Sequence, residues 1–227
     1  MKTRPDQWTS HYNLGNFHLD RGDVPSALAA YDTALKLEPR AVMPMVNAAM
    51  AHALAGENTE AEGFLKKALD VSPNDAAANF NMGLLKAEQK EMAEAEAHLR
   101  TALKADPKMH EAAFNLGVIL AEDRPGEAID HLFKAFELSP NPKYAYTLAF
   151  YLHENKDFDR ASYMLEFMIQ SWPQYADSYL LLADIRERQD KKAEAIQLLS
   201  NALSTKGMAE RDRFRVAAKL RDLENNQ

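Results

Sequence analysis

Small apolar side chains recur along this chain at Ala27, Ala61, Ala95, Ala128, Ala161 and Ala195, at intervals of 34, 34, 33, 33 and 34 residues. Other positions keep the same beat. Tyr31, Leu65, Leu99 and Leu132 follow the first four alanines by one helical turn, Ala34, Ala68, Ala102 and Ala135 follow these, and Pro39, Pro73, Pro107, Pro140 and Pro173 close the units. A fixed period of this length marks one supersecondary unit repeated into a solenoid, in which no unit buries its apolar face alone. The period runs from about residue 8 to 203, so we expect a leader at 1–7, six repeats over 8–203, and a terminal element over 204–227. Within that last stretch Val216, Leu220 and Leu223 stand at i, i+4 and i+7 among charged residues. That spacing predicts an amphipathic helix covering the last apolar face of the array.

The inner wording of the units is as regular as their spacing. His11-Tyr-Asn-Leu-Gly-Asn-Phe-His18, Asn79-Phe-Asn-Met-Gly-Leu-Leu-Lys86 and Ala113-Phe-Asn-Leu-Gly-Val-Ile-Leu120 share one register. With the alanine and proline columns, this pattern resembles the tetratricopeptide repeat family over about residues 8 to 203. The resemblance implies an all-α fold, in which an antiparallel helix pair per unit stacks into a right-handed superhelical solenoid with a concave inner face. Small residues at Gly15, Ala49, Gly83, Gly117, Ala149 and Ala183 would then face the periodic alanines and let two backbones approach closely. Pro44 and Pro142 fall in first turns of first helices, while Pro25 and Pro125 open second helices, where the missing N–H costs nothing. The fourth repeat loses one residue between Leu120 and Ala128, in a turn.

Composition narrows the function. Hydrophobic residues at 46% supply a core, while a net charge of −7 disfavours a nucleic-acid partner, whose phosphates demand clustered Lys and Arg. No run of 18 apolar residues is present to insert in a membrane, and the absence of cysteine excludes disulfides, thiolate metal sites and a cysteine nucleophile. No glycine-rich phosphate loop, G-x-S-x-G or H-E-x-x-H occurs. The expectation is a binding protein and not an enzyme, without cofactor or metal, with His18 and His52 in structural roles. The start of the chain lacks the apolar core of a secretory signal. As written the chain reads as cytoplasmic, or as periplasmic if it is excised from an exported protein.

The candidate site is a groove built from one column of each unit. Asn13, Asn47, Asn81 and Asn115 recur every 34 residues. By the family resemblance they occupy the inner-helix position that forms an asparagine ladder in protein-glycosylating transferases with long repeat arms. An amide suits that work because it both donates to and accepts from a peptide backbone, and the alternative reading is that each asparagine bonds only to a neighbouring helix or to water. Packed helices lie about 8–10 Å apart and an extended strand rises about 3.3 Å per residue, so each rung would meet every third peptide unit. Beside the ladder run Tyr12, Val46, Phe80, Phe114 and Tyr146, with Asn16, Met50, Leu84, Val118 and Phe150 one turn on, as a largely apolar floor.

Family members that hold acidic tails place lysine and arginine on this face. Here Asp20, Glu88, Glu122 and Glu154 occupy the rim instead. The expected partner is a protein or peptide with an apolar segment, extended or helical, and neutral or basic flanks. Two other readings stay open. The first unit is similar to repeat arms that accompany multihaem electron-transfer proteins, which would make the chain an accessory arm of a larger enzyme or cytochrome. Alternatively Phe17, with no preceding unit to cover it, marks an amino-terminal face for self-assembly or an upstream domain.

Overall fold

The computed structural model describes residues 7–225. All of the expected leader except Gln7 therefore lies outside the described residues. Those described form thirteen α-helices and no strand. The described residues make two compact units that divide between Ile119 and Leu120. The first holds α1 (Gln7–Asp20), α2 (Val24–Leu37), α3 (Val42–Leu54), α4 (Asn58–Val71), α5 (Ala76–Glu88), α6 (Met92–Ala105) and nearly all of α7 (His110–Leu120). The second holds α8 (Pro125–Leu138), α9 (Pro142–Glu154), α10 (Phe158–Ser171), α11 (Ala176–Arg188), α12 (Lys192–Leu203) and α13 (Glu210–Asn225).

Helix boundaries follow local chemistry. Asp23, Asp75, Asn141 and Asp157 each cap a helix by accepting the backbone N–H three residues on. Helices α2, α4, α6, α8 and α10 end one residue before the cap that precedes a periodic proline, since a residue before proline is pushed out of the helical region. Between the two helices of a unit the chain turns through a residue with positive φ: Gly22, Gly56, Lys90, Lys156 and Asp190. One backbone bond closes each of these turns, from Asp23, Glu57, Glu91, Asp157 and Lys191 back to the carbonyl five residues earlier. The fourth repeat lacks this residue, which is where its deletion falls.

Each unit is layered. Helix α3 touches both α1 and α5 in the first unit, and α9 touches α11 in the second. Among the described residues, helices α2, α4 and α6 make no comparable contact with one another, so the first unit curves with α1, α3 and α5 inside.

Close approach within a pair depends on what faces the small residue. A Cβ on Gly15 would stand 2.3 Å from the Tyr31 ring, and one on Gly83 would stand 2.8 Å from Cγ of Leu99. Nothing lies within 4 Å of a Cβ added to Gly63, in the middle of α4. Alanine gains about 1 kcal/mol over glycine in a helix interior, so the two sites should respond with opposite sign. Gly63→Ala is expected to stabilise by about 1 kcal/mol. Gly15→Ala is expected to destabilise by roughly 1–3 kcal/mol, because a fully buried ring cannot move aside. Denaturant midpoints of both variants check this, and a stabilised Gly15→Ala would refute the packing.

Helix α13 packs on α11 and α12. Its Val216 and Leu223 are fully buried in a cluster with Tyr179, Leu199 and Met208. Arg215 pairs with Asp177 at 2.6 Å, and Lys219 with Asp184 at 2.6 Å and Glu187 at 2.9 Å.

Candidate functional site

The ladder column does not behave as one set. Asn47 on α3 donates to Oδ1 of Asn16 at 2.7 Å and to the Tyr12 hydroxyl at 3.3 Å, both on α1. The Tyr31 hydroxyl donates to the same Asn16 oxygen at 2.9 Å, and burial raises the Tyr31 phenol above its ordinary range. Both amide hydrogens of Asn47 are therefore spent in binding α3 to the first repeat. Asn81 and Asn115 turn back instead onto the carbonyls of Ala77 and Glu111 on their own helices, each at 2.8 Å.

The difference has a cause in sequence. The residues that correspond to Tyr12 and Asn16 are Val46 and Met50 ahead of Asn81, and Phe80 and Leu84 ahead of Asn115. None of these side chains offers a strong hydrogen-bond partner. Asn81 and Asn115 each keep an amide oxygen and a second N–H without a partner among the described residues, and Asn13 is exposed.

The apolar floor is narrower than the residue pattern suggests. Val46 is buried with Met45, Ala68 and Ala78, and Phe114 is buried as well, so neither is open to a ligand. Burial is the default fate of large apolar side chains, and these two point between helices. Tyr12, Asn16, Phe80 and Leu84 are half-buried, while Met50 and Val118 are exposed. Asp20 and Glu88, at the carboxyl ends of α1 and α5, are exposed and make no ion pair among the described residues. In the second unit Phe150 is exposed on α9. Tyr146 lines a cavity of about 230 Å³ with Met168, Tyr175 and Asp177, and burial raises its phenol.

The paired histidines fall into a series. His18 Nδ1 lies 3.4 Å from Asp23 and His52 Nδ1 2.6 Å from Glu57, as Lys86 Nζ lies 2.7 Å from Glu91. Each nitrogenous side chain near the end of its helix meets the carboxylate beyond the turn, and His52 also stacks on Phe64. Lys86 further reaches Glu62 and Glu94. Hydrogen bonds from Lys66, then from Gln89 and Lys86, hold the Glu62 carboxyl down at about 2. Among the described residues no three His, Asp or Glu side chains group as metal ligands would, and no helix is long and apolar enough to cross a membrane.

Comparison with known proteins agrees with this architecture. A tetratricopeptide repeat family model matches residues 12–76 and 146–210, and a second tetratricopeptide repeat model matches residues 52–117. Among solved structures the chain is similar to Pseudomonas aeruginosa pilF at 21% identity and a TM-score of 0.74, over 93% of this chain and 97% of that one. It is similar to PilW, a widely conserved type IV pilus biogenesis factor, at 22% identity and 0.73, over 94% and 100%. It is also similar to YrrB, a protein with an unusual peptide-binding site, at 20% identity and 0.70, over 83% and 98%. At such identities the likeness is one of fold. No curated protein matches the chain.

Proposed function

The chain belongs to the tetratricopeptide repeat family, whose members typically bind proteins, and from that premise we propose that the inner-helix face of its first unit takes a peptide segment of a protein partner. The segment is apolar at its centre and neutral or basic at its flanks. It lies extended or as a short helix along α1, α3, α5 and α7, with Asn13, Asn81 and Asn115 reading its backbone. Met50, Phe80, Leu84 and Val118 supply the apolar contact. Asn47, Asn16 and Tyr12 hold the first two repeats in register, so Asn47 is a stiffening residue of the groove and contacts the peptide through its oxygen at most.

The observation that carries this reading is the unsatisfied amide capacity of Asn81 and Asn115 beside exposed and half-buried apolar side chains. Both asparagine side chains are half-buried and open to a ligand, and a peptide backbone offers both a donor and an acceptor to each rung. The exposed Asp20 and Glu88 favour basic flanks. The similarity to YrrB agrees with a peptide-binding role.

A panel of synthetic peptides with a shared apolar centre and either lysine or glutamate flanks tests it. Four hydrogen bonds at about 0.5–1.5 kcal/mol each imply that Asn81→Ala with Asn115→Ala weakens the lysine-flanked peptides by roughly tenfold or more. Phe80→Glu should abolish capture. A parent that binds no peptide better than the double variant does would end the proposal.

A further inference from the structure

The outward helices carry a second anomaly, and it lies in the other unit. At the column occupied by Ala29, Gly63, Ala97, Asp130 and Gln197 the fifth repeat has Tyr163. Four residues on, against Thr33, Lys67, Thr101, Lys134 and Asn201, it has Phe167. In the fourth repeat Phe133 replaces what is elsewhere Asp32, Lys66, Arg100, Glu166 or Ser200. These three aromatics stand where every other repeat is small or polar, and they are 40%, 73% and 37% exposed for Phe133, Tyr163 and Phe167 respectively.

They also meet. Phe136 of α8 and Phe167 of α10 touch edge to face at 5.7 Å, and Trp172 packs on Phe167 at the same distance. The clefts at the corresponding place of two other helix pairs hold ion pairs. Between α4 and α6 a cleft of about 400 Å³ is lined by Glu62, Lys86 and Glu94, and between α10 and α12 one of about 610 Å³ is lined by Glu166, Arg186 and Glu194. Where those have Lys86 or Arg186, the stretch under α8 and α10 has buried Leu152. One outward surface has thus exchanged its ion pairs for exposed aromatic rings, which in a protein free in water signals a contact.

Charge decides the occupant. Asp130 and Glu137 on α8 and Asp159 on α10 are exposed and make no ion pair among the described residues. Lys134 is the opposing charge on that part of α8, and Arg160 is already paired with Asp157. We propose that the outward face of α8 and α10 docks a basic amphipathic helical segment of a protein partner. Its apolar side chains rest on Phe133, Tyr163 and Phe167, and its Lys or Arg side chains meet Asp130, Glu137 and Asp159. Aromatic faces and carboxylates together suit cationic side chains better than either alone. This surface is independent of the groove, being built wholly from the second unit.

The probe is a synthetic amphipathic helix of about eighteen residues, with leucine along one face and lysine along its borders, and a twin with glutamate for lysine. The full chain should bind the lysine peptide at least roughly tenfold more tightly than the glutamate twin. Tyr163→Ala with Phe167→Thr, residues that other repeats use at those columns, should lose binding by a similar factor, and Tyr163→Ala alone should lose part of it. Asn81→Ala with Asn115→Ala should leave it unchanged, which separates this surface from the groove. Equal binding by the aromatic variants overturns the proposal. So does a parent dimer in light scattering that Tyr163→Ala dissolves, since the occupant would then be a second copy.

Discussion

Leu99→Ala is expected to cost about 2–5 kcal/mol, among the largest losses from a single truncation in the first unit. Leu99 is fully buried, and it occupies the space that Gly83 leaves by having no side chain. The truncated site collapses poorly, because both flanking helices are held by their own neighbours, so most of the removed volume persists as a cavity. Adding Gly83→Ala in the same molecule should recover part of the loss. The new Cβ enters space that Leu99 has vacated, and α5 gains about 1 kcal/mol of helix propensity. Alone, Gly83→Ala should destabilise by roughly 1–3 kcal/mol, since its Cβ would stand 2.8 Å from Cγ of the fully buried Leu99 and 3.2 Å from the Ala95 carbonyl oxygen. The double-mutant cycle is thus expected to show a favourable coupling of about 0.5–3 kcal/mol. Denaturant titrations of the four proteins measure it, and strict additivity would show that the two residues do not share this space.

What could be read beforehand was whatever depends on the period. The prolines marked helix ends because proline lacks an N–H wherever it stands, and the small-residue columns marked the close helix pairs. What escaped were features set by one repeat's difference from the next. Lys90, Lys156 and Asp190 take the left-handed conformation that Gly22 and Gly56 take in earlier repeats, and nothing in their residue types announces it. Their columns do, since Lys90, Lys156 and Asp190 stand in the register of Gly22 and Gly56. Asn47 looked equivalent to Asn81 by position, yet its bonds are decided by Tyr12 and Asn16 one repeat earlier. Val46 and Phe114 share the apolar character of Phe80, but whether such a side chain is covered depends on the lean of neighbouring helices. Tyr163, Phe167 and Phe133 each break an outer column in plain letters, a signal that the inner columns do not carry.

Removing α13 should cost the second unit far more than any of its ion pairs. Truncation after Ser204 uncovers Ala176, Tyr179, Ala183 and Leu199 and discards the burial of Met208, Val216 and Leu223. Each of those three side chains contributes about 1.5–3 kcal/mol by burial, or about 5–9 kcal/mol together. The pairs of Arg215 with Asp177 and of Lys219 with Asp184 and Glu187 are partly exposed and contribute at most about 1 kcal/mol each. The apolar contribution therefore dominates, and the two can be separated. Arg215→Ala with Lys219→Ala is expected to lower the melting temperature by only a few degrees, at about 2–4 °C per kcal/mol for a chain of this size. Val216→Asp, which places an unpaired carboxylate in a fully buried position, should cost about 3–5 kcal/mol. The truncated chain should aggregate through its uncovered face or melt well below the parent. If instead it melts with the parent while the charge variant does not, α13 is held mainly by its ion pairs and covers no apolar face that the second unit needs buried.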